Sequence, residues 1–239
     1  MKNPFNFFDA IFCINLDKRQ DRWTRCIQQF QTLGIEQKVQ RFSAIKVKNV
    51  NNYSHAFIGR CGCSLSHFEV CKLAKEKQYK NYLVLEDDFE FTLDKDTTFN
   101  LLTKLTKEIP INWDMFYLGA NLTNDYGIFP IEEFSDNLFK LKSCHTTHAM
   151  AFNSSFYDLF LKNAPDINSI YSWINEYQVI DAYLGKYILN NINCFINKTN
   201  IVNQAADFSD IDNIPCNYIS YINNNFNNYK NLLYKNDNL

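Results

Sequence analysis

Short apolar runs that alternate with amphipathic helical segments are the feature that most restricts how this chain can fold. The runs at 10–16 and 81–85 predict buried strands, because a strand that is covered on both faces is apolar throughout. Between and after these runs, apolar residues recur at helical spacing. The alternation is typical of α/β proteins, and it predicts a single α/β domain with a mostly parallel, twisted central sheet and helices on both faces.

The remaining segments extend this pattern toward the end of the chain. Strands are predicted over 10–16, 38–44, 81–85, 115–118, 138–142, 148–152 and 194–201, and helices over 21–33, 64–77, 95–107, 155–162 and 176–189. We expect Gly119 to close the fourth strand and the segments 138–142 and 148–152 to form a strand pair. One domain is expected over 1–212, followed by an Asn-rich helix or tail over 213–239.

The composition excludes several classes of protein. With 239 residues, of which 46% are hydrophobic, the chain can bury a sizeable core, so disorder is excluded as its main character. A formal net charge of −2 argues against a dedicated nucleic-acid binder, which usually carries a basic excess. No run reaches the roughly 18 uncharged apolar residues of a membrane span, and the N-terminus does not resemble a signal peptide. We therefore expect a soluble, cytoplasmic protein with no transmembrane segment.

Three consecutive carboxylates follow the apolar strand at 81–85. Because alternate side chains of an extended chain face the same way, Glu86 and Asp88 are expected to converge while Asp87 points elsewhere. Ligands of α/β proteins collect at the carboxyl ends of strands, and paired carboxylate oxygens suit Mg²⁺ or Mn²⁺. The alternative interpretation is a solvated acidic turn at the end of a strand.

A basic cluster follows the first strand in the same way. If the sheet is parallel, Arg19 and Arg22 lie at the same edge as the three carboxylates and can offer forked donors to a diphosphate. The alternative is an exposed helix face, on which these arginines pair with Asp17 and Asp21.

The cysteines and histidines leave two interpretations open. Eight cysteines are too sparse for a disulfide scaffold. Cys61 and Cys63, with Cys71 and His67 nearby, suggest a zinc site, but there is no second closely spaced pair, so free thiols are the simpler interpretation. His67 is either a contact to the ligand or a packing residue of the helix.

Asp181 is the one carboxylate in an otherwise apolar helical turn, VIDAYL. Burying an isolated acid costs free energy unless the acid has a partner or a purpose. Asp181 is therefore a candidate general base, and the alternative is an ordinary charge in the first turn of a helix.

Several segments, taken together, are similar to blocks of glycosyltransferase family 25. The segment 14–23 (INLDKRQDRW) resembles the opening INL-x-x-R-x-DR block of that family, and 41–45 (RFSAI) resembles its RF-x-A segment. The segments 62–67 (GCSLSH) and 82–88 (YLVLEDD) resemble its GC-x-x-SH and LEDD signature. Weaker similarities follow in family order at 114–119, 148–149, 180–184, 204 and 209–211.

The resemblance implies a GT-A-type, Rossmann-like enzyme that transfers a sugar, with inversion, from a UDP-sugar to a glycan, lipopolysaccharide or protein-linked acceptor. It implies Glu86 and Asp88 as ligands of Mn²⁺ or Mg²⁺, with Asp181 as the catalytic base. The residues that it implies for binding of the nucleotide sugar are Asn15, Leu16, Arg19, Arg22, Ala44, Ser66, His67, Asp87 and Gln204.

Two positions depart from the family pattern. Lys46 stands where the family usually has an acidic residue, and no histidine follows His148 to act as a C-terminal metal ligand, a place that Gln204 or water can take. Two rival functions remain open, a metal-dependent phosphoesterase and a degenerate protein that binds nucleotide sugars without turnover.

Overall fold

The computed structural model describes residues 3–49 and 52–236. The strands are β1 (Ala10–Asn15), β2 (Val39–Ser43), β3 (Asn81–Glu86), β4 (Phe89–Phe91), β5 (Met115–Leu122), β6 (Ile131–Glu133), β7 (Leu138–Leu141), β8 (Cys144–Asn153), β9 (Cys194–Asn197), β10 (Val202–Gln204), β11 (Asp207–Ser209) and β12 (Ile214–Cys216). The α-helices are α1 (Gln20–Leu33), α2 (His55–Glu76), α3 (Lys95–Glu108), α4 (Tyr157–Leu161), α5 (Ile170–Tyr177), α6 (Ile180–Tyr183) and α7 (Ile219–Asn236).

Eight strands form one mixed central sheet, in the order β2-β1-β3-β8-β5-β9-β7-β6. β1 is parallel to β2 and β3, and β5 is parallel to β9, whereas β8 runs antiparallel to β3 and β5. Six strands of this sheet therefore run in one direction, and β7 and β8 run in the other. The predicted α/β class with a mostly parallel sheet is confirmed.

Helices cover both faces of this sheet, as predicted. On one face α1 and α3 contribute Phe30 and Leu102 to a core that includes Leu85 of β3. On the other face α2 contributes Phe68, and α4, α5 and α6 pack against the same core. Burial of such side chains provides most of the free energy that stabilises a domain of this kind.

Two sequence predictions about the strands are wrong. The segments 138–142 and 148–152 do not pair with each other, because β8 lies in the middle of the sheet between β3 and β5, and β7 pairs with β9 and β6. Seven of the ten residues of β8 are buried, which fits a central position. Gly119 does not close β5, which continues to Leu122. It is needed because a Cβ there would lie 1.8 Å from the carbonyl oxygen of Val202 in β10.

The predicted helices also differ in two places. α2 begins nine residues before position 64, at His55, where Ser54 caps the helix by accepting a hydrogen bond from the backbone N–H of Phe57. The predicted helix 176–189 is interrupted at Gln178, whose φ of 70° ends α5 before α6 begins. A π-helical turn follows α6 over Leu184–Ile188.

The C-terminal part forms a hairpin and a helix. The boundary predicted after residue 212 lies in the turn between β11 and β12, which pair in antiparallel fashion. α7 then packs Phe226 beside Phe139 of β7, with the ring centroids 6.4 Å apart. Residues 237–239 of the predicted tail lie outside the described residues. In the part of the chain that the structure describes, no helix combines the length and apolar character needed to cross a bilayer.

Candidate active site

The ends of β1 and β3 lie side by side because these strands are parallel and pair Ile14 with Glu86. The segments that follow them, with Leu16 and Asp88, therefore open at the same edge of the sheet, as predicted. A cavity of about 480 Å³ lies at this edge. Its volume is within the range of small-molecule sites, roughly 300–1,000 Å³.

Six parts of the chain line the cavity: the end of β1, the end of β3, the first turn of α1, the segment after β2, one face of α2, and the segment 204–218. The predicted site residues that line it are Leu16, Arg22, Ala44, Ser66, His67, Glu86, Asp87, Asp88 and Gln204. Asn15, Arg19 and Asp181 are not among the lining residues, and each has a different role in the surrounding structure.

The GCSLSH segment brings α2 close to the segment that follows β2. A Cβ on Gly62 would lie only 2.4 Å from the backbone oxygen of Ile45, so no larger residue fits without a shift of backbone. Ser66 accepts a hydrogen bond of 2.9 Å from the Ile45 N–H and donates one of 2.7 Å to the Gly62 carbonyl. This contact holds α2 against the segment that follows β2, and both line the cavity.

The surroundings of Asp88 disfavour the ionised form of its carboxyl group. Its side chain is 13% exposed, and its Oδ2 accepts hydrogen bonds from Gln204 at 3.0 Å and Arg22 at 3.4 Å. Its Oδ1 is buried, with no hydrogen-bond partner among residues 3–49 and 52–236. Burial, together with the neighbouring charge of Glu86, raises the pKa of Asp88 to about 7. A buried oxygen without a donor, beside a second carboxylate, fits a bound cation.

Glu86 has partners that favour its ionised form. Its Oε1 accepts a hydrogen bond of 2.6 Å from Thr147 and lies 2.8 Å from Nε2 of His67. Burial alone would raise the pKa of Glu86, but the His67 and Thr147 contacts outweigh it and hold the pKa below its usual value. A negative charge at Glu86 is therefore a fixed part of the site.

Asp87 organises this edge of the sheet. It accepts hydrogen bonds from Arg22 at 2.7 Å and from the side-chain amide of Asn15 at 2.6 Å. Asn15 is fully buried behind the cavity, and its Oδ1 accepts from Arg41. The sequence predicted that Asp87 points away from its neighbours, but Nη1 of Arg22 contacts both Asp87 and Asp88, so these two carboxylates meet at one guanidinium.

The arginines of α1 and of the residue before it bind the β11–β12 hairpin. Arg19 forms ion pairs with Asp21, Asp207 and Asp210, which explains its place outside the cavity. Arg22 contacts Asp207 at 3.1 Å in addition to Asp87 and Asp88. Although burial opposes it, the backbone N–H of Phe208 and the nearby arginines hold the pKa of Asp207 at about 2.

Asp181 and Glu86 contact two consecutive residues of β8, Thr146 and Thr147. Its Oδ2 accepts a hydrogen bond of 3.1 Å from the backbone N–H of Thr146, and its Oδ1 accepts from the N–H of Ala182. Thr146 has a φ of 71°, a strained conformation for a β-branched residue. The next residue, Thr147, binds Glu86, so one strained segment holds both carboxylates.

Residues 8–164 match the model of glycosyltransferase family 25, described as an LPS biosynthesis protein. The chain belongs to glycosyltransferase family 25. The matched residues of this family-25 chain include the β1 and β3 ends and α2, whereas Asp181 and Gln204 lie beyond them.

Two curated relatives of this family-25 chain illustrate the degree of sequence identity and coverage. Procollagen galactosyltransferase 1-A of Xenopus laevis is 29% identical over 129 residues, which is 47% of this chain and 21% of the relative. A glycosyltransferase 25 family member of Drosophila melanogaster is 31% identical over 102 residues, 35% of this chain and 16% of the relative. The chain thus spans about a fifth of the length of the curated relatives that it matches.

Solved structures give weaker similarities. A mannose-1-phosphate geranyltransferase of Thermus thermophilus aligns with a TM-score of 0.46 and 6% identity, over 79% of this chain and 72% of that chain. A glycosyltransferase involved in glycosylation of the major capsid of PBCV-1 aligns with a TM-score of 0.37 and 10% identity, over 79% of this chain and 91% of that chain.

Several residues of this site were not assigned from the sequence. Thr147 binds Glu86, and Ser64 accepts a hydrogen bond from the N–H of Ile180 at the start of the helix that carries Asp181. Arg25 pairs with Asp207, on a strand that was not predicted. Of these residues, only Ser64 lies in a segment that resembles the family, GCSLSH, and this resemblance is the one sequence feature that could have indicated its role. The contacts of Thr147, Arg25 and Asp207 join parts of the chain that are far apart in sequence.

Proposed function

We propose that this chain transfers a sugar from a nucleotide-diphosphate donor, UDP-sugar first among them, to a hydroxyl group of a glycan or glycoconjugate. The observation that carries the proposal is the buried, unpartnered oxygen of Asp88 beside the ionised Glu86 in a ligand-sized cavity. Family membership supports the same reaction, and we propose that residues 1–212 form the catalytic unit and that 213–239 form a C-terminal segment that packs on it.

The cavity has both charged and apolar lining residues, which suits such a donor. Lys46 offers a positive charge to a diphosphate, whereas Lys18 and Arg22 are paired with carboxylates of the chain and would exchange these partners for phosphate. The apolar surface, which suits a base or sugar face, comes from Ile14, Leu16, Ala44, Ile45, Val47 and Ile58. This combination supports a nucleotide diphosphate over a simple phosphate ester.

Asp88 and Glu86 are the residues that would hold Mn²⁺ or Mg²⁺, with Gln204 at hydrogen-bond distance from Asp88. Oxygen ligands fit both ions. When bound, the ion neutralises the charge that develops on the leaving diphosphate. Arg22, which contacts both Asp87 and Asp88, adds a second positive charge at the same edge.

Asp181 is proposed as the base that takes the proton of the acceptor hydroxyl in an inverting displacement. The backbone N–H groups of Thr146 and Ala182 each bind one of its oxygens, which fixes the carboxylate while leaving lone pairs for a proton. Asp181 contacts Thr146, and Glu86 contacts the next residue, Thr147. This shared segment supports a place for Asp181 on the acceptor side of the same site.

The test is a donor panel measured with the whole chain. UDP-, GDP- and dTDP-sugars are screened with Mn²⁺ by thermal shift, and hits are assayed for transfer or slow donor hydrolysis. Metal-dependent turnover of a nucleotide sugar supports the proposal. Phosphate release from simple esters would indicate a phosphoesterase, and binding without turnover would indicate a degenerate binding protein.

A further inference from the structure

Cys63, His67 and Glu86 form a second set of potential metal ligands, which offers a sulfur, a nitrogen and an oxygen atom. Cys63 and His67 are four residues apart on α2, so both side chains project from the same face of that helix. Glu86 faces them from the end of β3, and the three ligand atoms all lie within 4.8 Å of one another. All three residues line the cavity, so an ion from solution can reach them.

Two of the three distances within this cluster are close to those of a metal site, and the third, between His67 and Cys63, lies within 4.8 Å. Nε2 of His67 lies 2.8 Å and Sγ of Cys63 lies 3.9 Å from the same oxygen, Oε1 of Glu86. Neighbouring ligands of a tetrahedral Zn²⁺ lie roughly 3.3–3.7 Å apart, given its bond lengths of about 2.0–2.3 Å. Each of the two separations therefore has to change by only about 0.5 Å to admit the ion.

The histidine is also free to take the required tautomer. Nδ1 of His67 is buried, and the described residues offer it no hydrogen-bond partner. Without an ion, Nε2 donates to the ionised Glu86. Since no partner fixes Nδ1, the proton can reside there once an ion binds, which leaves the lone pair of Nε2 for the ion.

We propose that Cys63, His67 and Glu86 bind a borderline divalent cation such as Zn²⁺, at a position separate from the oxygens of Asp88. Zn²⁺ takes sulfur, nitrogen and carboxylate ligands, whereas Mn²⁺ and Mg²⁺ prefer oxygen alone. The thiol proton of Cys63 passes to solvent as the sulfur–zinc bond forms. The same set of ligands binds Zn²⁺ more tightly than Mn²⁺, so Mn²⁺ does not displace it.

Binding of this ion has a consequence for the proposed reaction. Glu86 belongs both to this cluster and to the oxygen pair with Asp88, so Zn²⁺ at Cys63 withdraws Glu86 from that pair. Zn²⁺ therefore inhibits the metal-dependent transfer. This consequence rests on the proposed function, whereas the zinc site itself does not.

The experiment uses the whole chain after treatment with EDTA. Zn²⁺ binding is measured by calorimetry, and Co²⁺ is added separately as a spectroscopic probe. We expect one Zn²⁺ per chain at this site and a thiolate-to-Co²⁺ charge-transfer band. Cys63→Ser should abolish the band and weaken Zn²⁺ binding by about 100-fold or more, since loss of even an outer contact costs roughly 10–100-fold.

Two matched variants separate this site from its neighbours. Cys216→Ser removes a thiol that lines the same cavity outside the cluster, and it should leave the Co²⁺ band and the Zn²⁺ affinity unchanged. Asp88→Asn should retain both as well. A wild type without the charge-transfer band, or a Cys63→Ser variant with undiminished Zn²⁺ affinity, would overturn the site. Equal loss of Zn²⁺ in Asp88→Asn would overturn its separation from Asp88. None of these readouts depends on glycosyl transfer.

Discussion

Asp88→Asn in the metal-free protein is expected to increase stability at alkaline pH. Burial and the charge of Glu86 raise the pKa of Asp88 from its ordinary value of 3.8 to about 7. A difference of this size corresponds to roughly 4 kcal/mol of unfavourable free energy for the ionised form in the folded state. An asparagine has no charge to bury, and its amide oxygen can keep the hydrogen bond from Gln204.

The sign of the pH dependence follows from the direction of the shift. Between about pH 4 and pH 7 the folded state retains a proton on Asp88 that the unfolded state has lost, so the free energy of unfolding falls as the pH rises. Above about pH 7 the penalty is constant. Relative to Asp88→Asn, the wild type should lose roughly 3 kcal/mol between about pH 5 and pH 8.

The measurement is urea or thermal unfolding in EDTA at about pH 5 and pH 8. A difference of roughly 3 kcal/mol corresponds to about 6–12 °C in Tm for a chain of this size. Asp136→Asn, in an exposed position between β6 and β7, is the control and should show no such change. Addition of Mn²⁺ at about pH 8 should narrow the difference by stabilising the wild type alone, by about 2.7 kcal/mol at 100 times its Kd.

The reasoning is refuted if Asp88→Asn is no more stable than the wild type at the higher pH in EDTA. It is equally refuted if the difference between the two does not grow from the lower pH to the higher. Either result would mean that the carboxylate of Asp88 is already satisfied without a cation, and the metal assignment would lose its main support.

Three further predictions concern the surroundings of the cavity. Asp181→Asn should retain donor binding in a thermal-shift assay but lose transfer by about 10² or more, and full transfer would move the base to another residue. Gly62→Ala should cost about 1–3 kcal/mol in urea unfolding, because its Cβ would lie 2.4 Å from the Ile45 oxygen, and an unchanged midpoint would contradict the close contact. Asp207→Asn should lower the free energy of unfolding by roughly 2 kcal/mol at about pH 7, because the pKa of Asp207 is about 2. That difference should close as the pH falls from about 4 to about 2, and a difference that persists at the lower pH would exclude Asp207 as its source.

The parts of the fold that the sequence predicts are those with strong local periodicity. β1, β3, α1 and α3 lie within a residue or two of the predicted segments, because their apolar patterns are regular. β8 shows the limit of such reasoning. Its apolar residues predict a buried strand, but its position between β3 and β5 depends on contacts with residues far away in sequence.

The residues of the site also fall into those that the sequence predicts and those that depend on contacts between distant parts of the chain. Arg22 and Asp88 could be placed at one edge because parallel strands bring their carboxyl ends together. The role of Thr147 could not be predicted, since its partner Glu86 is 61 residues away and the link depends on the strained backbone of Thr146. Asp207 was equally inaccessible, because the short, polar strand β11 has no apolar alternation to reveal it.

The contacts of Arg22 with Asp87, Asp88 and Asp207 affect how tightly an incoming diphosphate can be held. The guanidinium is already saturated with anions of this chain, so a phosphate that reaches it exchanges one negative partner for another. The net gain from the exchange is the small difference between two similar attractions. In the proposed reaction, retention of the donor therefore depends on its base, its sugar and its counter-ion. The nucleotide that remains after transfer meets an internal competitor that favours its departure.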